Sequence, residues 1–264
     1  MAQIYRESAL VLGREQLADG VFSLRLQTER IAAECAPGQF VSVYCADSSR
    51  LLPRPISVCE ADPEKGILRL VFRVAGKGTK EFSRLEKGEK LTLTGPLGNG
   101  FPLEKLAGRK VLLAGGGIGI PPMLQLAKAL SGGESQASEL TAAAGFRDCL
   151  FLTEDFAPYC RVLIATEDGS AGTKGTVLDA MREDGASPDV ICACGPAPML
   201  RALKQYAAEK GIACWLSLEE KMACGVGACL SCVCRSAEVD EHSRVKNKRV
   251  CTEGPVFAAE EVEL

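Results

Sequence analysis

The sequence predicts a multidomain protein of the β plus α/β class, and three stretches of the chain predict its three parts. Residues 1–102 alternate apolar and polar side chains in short runs, as antiparallel strands do. Residues 103–215 alternate buried-strand runs with helical patterns, as a parallel sheet with crossover helices does. Residues 216–264 are loop-like and hold five of the 13 cysteines. We therefore expect an antiparallel β-barrel, a parallel-sheet α/β domain and a small C-terminal metal domain.

The first part has the strand pattern of a small barrel. Apolar residues alternate with polar ones over 22–26 and again over 68–74, where arginines are among the intervening residues. Turn-forming pairs at 37–38 and 95–96 separate the strands. Short strands with such turns between them predict an antiparallel barrel. One helix, at about 79–85, is expected to interrupt it.

The second part begins with a buried-strand run at 110–114, followed by a Gly-rich turn and a helix that opens at Pro121-Pro122. The further predicted strands are 140–144, 161–166 and 189–193, with helices at 177–182 and 199–210 between and after them. This order predicts a parallel sheet covered by helices.

Four cysteines of the last part give the strongest chemical signal. They follow a C-x4-C-x2-C pattern with a fourth cysteine after eighteen residues: Cys224, Cys229, Cys232 and Cys251. This is the plant-type [2Fe–2S] order, and glycines at 225 and 227 would let the backbone curl around the cluster. A four-cysteine zinc site is the alternative, although such sites usually pair two C-x2-C units.

The remaining cysteines need separate interpretations. Cys234 lies two residues beyond Cys232 and could compete with it as a ligand. We expect the following to be ordinary core residues: Cys35, Cys45, Cys59, Cys149, Cys160, Cys192 and Cys214.

Composition excludes several functions. The net charge of −3, with mixed signs throughout, argues against nucleic-acid binding. The longest apolar stretch, 111–126, is broken by glycines and prolines, so no membrane span is expected. The start lacks a secretory pattern, and so many cysteines fit reduced thiols plus a metal, so we expect a cytoplasmic protein. With His242 as the single histidine, we expect no catalytic side chain and redox chemistry carried by cofactors.

Three short segments in the barrel region have the chemistry of a dinucleotide site. Arg54-Pro55-Ile56-Ser57 offers a planar two-donor guanidinium for a diphosphate and a small hydroxyl. Val71-Phe72-Arg73 follows, and then Gly78-Thr79 at the start of the expected helix, where free N–H groups attract anions. Each segment alone is equally compatible with an ordinary loop, so the weight lies in their combination.

Two glycine turns in the second part point to a nucleotide. Gly115, Gly116, Gly117 and Gly119 follow a strand and open a helix. They do not form the G-x-G-x-x-G fingerprint, because Ile120 takes the sixth position, and a structural turn is the alternative. Cys194-Gly195-Pro196 also follows a strand and precedes a helix.

In this order, R-P-x-S, G-T, the Gly-rich turn and C-G-P resemble the ferredoxin–NADP reductase superfamily. The resemblance implies FAD on the barrel, held by Arg54 to Ser57, Val71 to Arg73, Gly78 and Thr79. It also implies a nicotinamide nucleotide, NAD rather than NADP, at the two glycine turns. No arginine pair is clearly placed for a 2′-phosphate.

The stretches 219–232 and 250–257 are similar to those of the electron-transfer subunits of B-type dihydroorotate dehydrogenases, and the similarity covers nearly the whole chain. It implies that electrons pass from the FMN of a separate catalytic subunit, through [2Fe–2S] and FAD, to NAD+ in pyrimidine biosynthesis. It also implies a heterotetramer of two such subunits with two catalytic ones.

Two other functions stay open. One is the small FAD/[2Fe–2S] subunit of a ferredoxin-dependent NADP transhydrogenase or of a sulfide dehydrogenase, because these share cofactors and the cluster's position in the chain. The other is a non-catalytic binding module held together by zinc, in which the glycine turns are structural only.

Overall fold

The computed structural model describes residues 3–239 and 244–264, so His242 lies outside the described residues. The strands of the first part are β1 (Tyr5–Ala18), β2 (Val21–Gln27), β3 (Phe40–Val43), β4 (Arg54–Asp62), β5 (Ile67–Arg73) and β6 (Lys90–Leu97). Short helices α1 (Ile31–Glu34), α2 (Lys77–Phe82) and α3 (Leu103–Leu106) accompany them. The second part contains β7 (Lys110–Gly116), α4 (Ile120–Leu130), β8 (Glu139–Phe146), β9 (Arg161–Thr166), β10 (Thr173–Lys174), α5 (Val177–Asp184), β11 (Val190–Cys194), α6 (Ala197–Lys210) and β12 (Ala213–Ser217). The last part adds β13 (Val233–Cys234), β14 (Lys248–Arg249) and β15 (Val256–Ala258).

The first six strands close into an antiparallel barrel in the order β1-β2-β5-β4-β3-β6, which confirms the predicted architecture. Leu24 lies opposite Leu70 and Leu26 opposite Leu68, and all four side chains fill the barrel interior. Alternation places these apolar residues on one face of each strand. Burying that face closes the barrel around one core.

The helix predicted near 79–85 begins and ends earlier, as α2. The hydroxyl of Thr79 accepts hydrogen bonds from the N–H groups of Ala75 and Gly76 at 2.9 and 3.1 Å. These bonds satisfy backbone donors that precede the helix and fix its start at Lys77. Ser83 then ends the helix as its C-cap.

The second sheet has the order β10-β9-β8-β7-β11-β12-β15. Its strands are parallel except β15, which runs antiparallel to β12, so the predicted parallel sheet has one antiparallel edge. Side chains of β7 alternate between two apolar cores: Val111 and Leu113 face α4, whereas Leu112 and Ala114 face α5 and α6. Both faces are therefore covered, as the continuous apolar strands predict.

The cysteine-rich part shares the core of this sheet. β12 crosses the predicted boundary between residues 215 and 216, and β15 returns to pair with it. Cys232, Val250 and Phe257 pack into the same apolar cluster as Leu216. In the ranges 3–239 and 244–264, no helix combines the length and apolar character needed to span a membrane.

The cysteines expected in the core divide by position. Cys59, Cys192 and Cys214 are buried as predicted, and Cys35, Cys45 and Cys160 are half-buried. Cys149 is exposed, so its assignment to the core is wrong. It lies in the connection after β8, beyond the last buried residue of the strand, Phe146.

Candidate functional site

A cavity of about 330 Å³, here called the barrel cavity, opens beside the start of β4 and the end of β5. Its walls include most of the residues predicted to hold FAD: Pro55, Ile56, Ser57, Val71, Phe72, Arg73 and Thr79. Sequence reasoning missed the other walls: Phe40, Ala75, Ile118, Ser217, Leu218, Glu219, Glu220, Met222 and Pro255. These come from all three parts of the chain, so no single local motif could have indicated them.

Arg54 and Gly78, the other two residues predicted to hold FAD, lie against each other. A Cβ atom at Gly78 would stand 2.4 Å from Nε of Arg54, so only glycine lets the guanidinium pack across the first turn of α2. The Thr79 hydroxyl is already engaged with backbone N–H groups. A guanidinium beside a cavity with mostly apolar walls fits the diphosphate and the ring system of a flavin dinucleotide.

The two glycine turns touch each other. They follow β7 and β11, neighbouring strands whose register pairs Gly115 with Cys194. A Cβ atom at Gly119 would stand 2.2 Å from the carbonyl oxygen of Cys194, and one at Gly116 would stand 2.8 Å from Cδ of Pro196. Glycine is therefore required for this contact. The contact lies at the carboxyl edge of the sheet, where α/β proteins bind nucleotides.

A second cavity of about 690 Å³, here called the turn cavity, lies over these turns. Gly116, Gly117, Gly195 and Pro196 line it, whereas Gly115, Gly119 and Cys194 are buried behind them. The turn cavity and the barrel cavity share the walls Arg73, Ile118, Leu218, Glu219 and Glu220. The two cavities therefore adjoin, as hydride exchange between a nicotinamide and a flavin requires.

The thiol of Cys194 is buried between the second turn and β12. Burial, followed by the charge of Glu219, raises the pKa of Cys194 to about 12, although contact with the Ser217 hydroxyl opposes the shift. The thiol is therefore neutral near pH 7. A neutral buried thiol contributes packing rather than nucleophilic chemistry.

The four spaced cysteines come together in two contacting pairs. The thiols of Cys224 and Cys229 contact each other, as do those of Cys232 and Cys251. Cys232 and Cys251 are buried, whereas Cys229 is exposed. Within residues 3–239 and 244–264, no group of three or more His, Cys, Asp or Glu side chains is arranged to hold one metal ion.

Backbone N–H groups point at these sulfurs. Val226 donates to Sγ of Cys224 at 3.4 Å, and Gly227 donates to Sγ of Cys251 at 3.2 Å. Gly225 and Gly227 have φ angles of 71° and 82°, which turn the loop around the thiols. Burial opposes ionisation of Cys224, but backbone hydrogen bonds, first that from Val226, outweigh it and lower its pKa to about 6. Thiols with N–H donors aimed at them fit an iron–sulfur cluster.

The barrel contacts residues 224–232, here called the cysteine loop, and the segment around Cys251. A Cβ atom at Gly225 would stand 3.1 Å from Oγ of Ser42 in β3. Nδ2 of Asn99 donates to the carbonyl oxygens of Thr252 and Glu253 at 3.0 and 3.1 Å. Sequence reasoning did not assign Asn99 a role, and its place in a Gly-rich stretch after β6 was the one available signal.

Cys234 lies in β13 as a buried thiol and lines the turn cavity. Burial, the largest cause, raises its pKa. Val233 and Cys234 pair with Arg249 and Lys248 of β14, so the residues just after Cys232 lie beside those just before Cys251.

Two family descriptions match the chain. "Iron-sulfur cluster binding domain of dihydroorotate dehydrogenase B" matches residues 219–263. "Oxidoreductase FAD-binding domain" matches residues 14–101. The first covers the cysteine loop and the second covers most of the barrel.

Two curated relatives match almost end to end. The "Dihydroorotate dehydrogenase B (NAD(+)), electron transfer subunit" of Geobacillus sp. (strain WCH70) is 42% identical over 263 residues, which are 98% of this chain and 99% of the relative. The subunit of the same name from Listeria monocytogenes serotype 4a (strain HCC23) is 42% identical over 255 residues, 96% of this chain and 97% of the relative.

Two solved structures share the fold. A chain of an NADH-dependent reduced ferredoxin–NADP oxidoreductase superimposes with a TM-score of 0.85 at 30% identity, covering 97% of this chain and 89% of its own. An Amycolatopsis cytochrome P450 reductase superimposes with a TM-score of 0.66 at 23% identity, covering 78% of this chain and 66% of its own.

Proposed function

Because the chain belongs to the family of electron-transfer subunits of NAD-dependent dihydroorotate dehydrogenase B, we propose specific sites for the cofactors of this oxidoreductase subunit. The chain has FAD-binding and iron–sulfur cluster binding domains. FAD occupies the barrel cavity, NAD+ the turn cavity, and a [2Fe–2S] cluster the thiols of Cys224, Cys229, Cys232 and Cys251. The observation that carries this proposal is the set of walls common to the two cavities.

The barrel supplies the predicted polar contacts of the FAD site. The Arg54 guanidinium binds the diphosphate, and Ser57 presents a hydroxyl at the cavity wall. Ile56 and Phe72 exclude water from the apolar side. Bound FAD supplies the exchange between hydride pairs and single electrons, so no side chain of the chain acts as a general base.

The NAD+ site is built from the contact of the two turns. Gly116 and Gly117 allow close approach of a phosphate, and the helix α4 that begins after them favours its negative charge. The turn containing Gly195 and Pro196 bounds the cavity on the other side. The relative from Geobacillus is named as an NAD(+) subunit, which supports NAD+ as the nucleotide here.

The cysteine loop gives the route to the catalytic subunit. Cys229 is exposed, and beside it Val226 and Leu230 are apolar side chains that are 48% and 59% exposed. Exposed apolar residues around a redox group are suited to partner contact. We place the FMN-containing catalytic subunit on this face, in a heterotetramer of two subunits of each kind. Electrons from dihydroorotate would then pass through the FMN of the catalytic subunit, the cluster and FAD to NAD+.

The observations support the two alternative functions to different degrees. The ferredoxin–NADP oxidoreductase chain shares the fold at 30% identity, which supports the transhydrogenase alternative. The dihydroorotate dehydrogenase relatives are 42% identical and support the first function more strongly. A zinc-held binding module does not explain why two cavities with shared walls lie next to each other. A cytoplasmic location is supported by the 13 free thiols, which suit a reducing compartment.

The test is to purify the chain anaerobically with its catalytic partner. We expect FAD, iron and acid-labile sulfide in the preparation and NAD+ reduction driven by dihydroorotate. NADP+ reduction driven by reduced ferredoxin, without orotate formation, would support the transhydrogenase instead. Colourless protein that contains zinc would support the binding module.

A further inference from the structure

One buried hydroxyl beside the proposed cluster has no partner. Oγ1 of Thr252 is inaccessible to solvent and makes no hydrogen bond with any residue that the structure describes. A polar atom buried without a partner is costly, so native proteins almost always supply one. In the described chain, Oε1 of Gln125 is the other such side-chain atom, and it lies on α4, away from the cysteine loop.

Thr252 stands next to the fourth cysteine of the set. Its side chain packs on the cysteine loop, because a Cβ atom at Gly227 would stand 2.8 Å from its Cγ2 and 3.3 Å from its Oγ1. The N–H of Gly227 donates to Sγ of Cys251. The orphan hydroxyl and this sulfur ligand therefore flank the same glycine.

The backbone N–H and C=O groups of Thr252 are both hydrogen-bonded, which holds the residue in place. Its N–H donates to the carbonyl oxygen of Arg249 at 3.2 Å, and its carbonyl oxygen accepts from Nδ2 of Asn99 at 3.0 Å. These bonds tie Thr252 to the barrel on one side and to β14 on the other. Of the polar groups of Thr252, the hydroxyl is therefore the one left for a ligand.

We propose that the Thr252 hydroxyl donates a hydrogen bond to a sulfur atom of the iron–sulfur cluster and raises its reduction potential. The inference rests on the proposed cluster site. Reduction adds one negative charge to the cluster, and a fixed donor stabilises the more negative state more strongly. Thr252 is thus a positioning and tuning residue for the one-electron step, with no proton transferred.

The experiment replaces the hydroxyl with a methyl group of the same shape. The variant Thr252→Val is compared with Thr252→Ser, which keeps the hydroxyl, in the anaerobic complex with the catalytic subunit. The potential of the cluster is measured by redox titration monitored by electron paramagnetic resonance. Thr141→Val serves as the control, because Thr141 is a buried threonine in β8, outside the cysteine-rich part.

We expect the equilibrium constant for cluster reduction to fall about tenfold in Thr252→Val, which is about 59 mV to lower potential for a one-electron couple. Thr252→Ser and Thr141→Val should keep the wild-type potential. If Thr252→Val loses its iron, Thr252→Ala provides the second hydroxyl-free side chain, and it should show the same shift.

Two failures are distinguishable. Wild-type protein without iron and sulfide would overturn the proposed cluster site itself. Iron content equal to wild type in Thr252→Val, with an unchanged potential, would overturn only the role of the hydroxyl. A lowered potential in Thr252→Ser as large as in Thr252→Val would also overturn it, because packing rather than hydrogen bonding would then be the cause.

Discussion

Arg69 of β5 and Asp155 of the short turn after β8 form an ion pair of 2.5 Å that joins the barrel to the α/β domain. The Arg69 side chain is 7% exposed and also binds Glu60 at 2.8 Å and the Ser23 hydroxyl at 3.1 Å. Burial opposes its charge, but hydrogen bonds from Arg69 to Asp155 and Glu60 outweigh burial and raise its pKa. The pair therefore fixes how the two domains meet.

Replacing Asp155 with asparagine tests this junction. We expect Asp155→Asn to lower the free energy of unfolding by about 1–2 kcal/mol, less than for a fully buried pair, because Asp155 is partly exposed and Glu60 remains. Urea denaturation monitored by flavin fluorescence measures the change. Asp148→Asn is the matched control, an exposed aspartate in the same connection after β8. Equal losses in both variants would contradict a specific role for the pair.

The proposed FAD site assigns the diphosphate to the guanidinium beside Gly78, that of Arg54. Arg54→Met keeps an unbranched, flexible side chain but removes the guanidinium and its donors, so we expect the dissociation constant for FAD to rise roughly ten- to a hundredfold. Fluorescence titration of flavin-depleted protein with FAD gives the constant. Arg25→Met, at an exposed position of β2, should bind FAD as the wild type does. An unchanged constant in Arg54→Met would remove this residue from the site.

The proposed NAD+ site is built on the contact of the two glycine turns. Gly119→Ala puts a methyl group into the carbonyl of Cys194, and backbone cannot move aside as a flexible side chain can. We expect the dissociation constant for NAD+ to rise by about tenfold or more, with FAD content unchanged. Calorimetry measures the dissociation constant for Gly119→Ala and for the control Gly132→Ala, where an added methyl group meets nothing within 4 Å. Normal NAD+ affinity in Gly119→Ala would separate the turns from the nucleotide site.

The proposed electron route to the partner passes through the cysteine loop. Cys229→Ser should keep FAD and its reduction by NADH but lose iron and dihydroorotate-driven NAD+ reduction. The reason is that a serine hydroxyl is a poor substitute for a thiolate ligand. Iron analysis and turnover of the complex are the measurements, and Cys149→Ser, an exposed thiol after β8, is the control. Full dihydroorotate turnover in Cys229→Ser would exclude this thiol from the route.

Alkaline pH should destabilise the fold through its buried thiols. Burial, followed by the charge of Glu260, raises the pKa of Cys214 from its ordinary value of 9.0 to about 12. Between these values the unfolded chain releases a proton that the folded chain keeps, so stability is intact below pH 9 and falls as pH rises toward 12. Each such thiol contributes about 1.4 kcal/mol per pH unit in that window.

The variant Cys214→Ala checks this contribution. We expect its unfolding free energy to fall less steeply with pH than that of the wild type, as measured by urea denaturation between about pH 9.5 and 11. Cys149→Ala, in which an exposed thiol is removed, should keep the wild-type slope. Identical slopes in all three proteins would show that Cys214 does not titrate as its burial implies.

The architecture was predictable because local patterns carry it. Alternation predicted the barrel, and apolar runs predicted the strands that follow, of which 161–166 agrees with β9 residue for residue. Glycine turns that follow strands also predicted candidate nucleotide-binding segments. These features depend on near neighbours in the sequence, and the signal is present in one chain.

Contacts between parts of the chain were not predictable. The alternation in β5 gives no sign that Arg69 is buried, because its partner Asp155 lies 86 residues away. The antiparallel edge made by β15 is only three residues long, too short to give a period. Asn99 and Met222 join the site through contacts between distant segments. The Gly-rich stretch around Asn99 and the cysteine motif after Met222 mark these segments, but neither pattern shows which distant residues they meet.

The pairing of β15 with β12 also covers a strand edge that could otherwise promote self-association. Without β15, the backbone N–H and C=O groups of β12 would form an open rim, ready to pair with a strand of another molecule. The three residues of β15 are buried there and cover this edge of the sheet: Val256, Phe257 and Ala258. Release of β15 would therefore expose the edge of β12 as a template for self-association, so this pairing favours solubility as well as stability of the sheet.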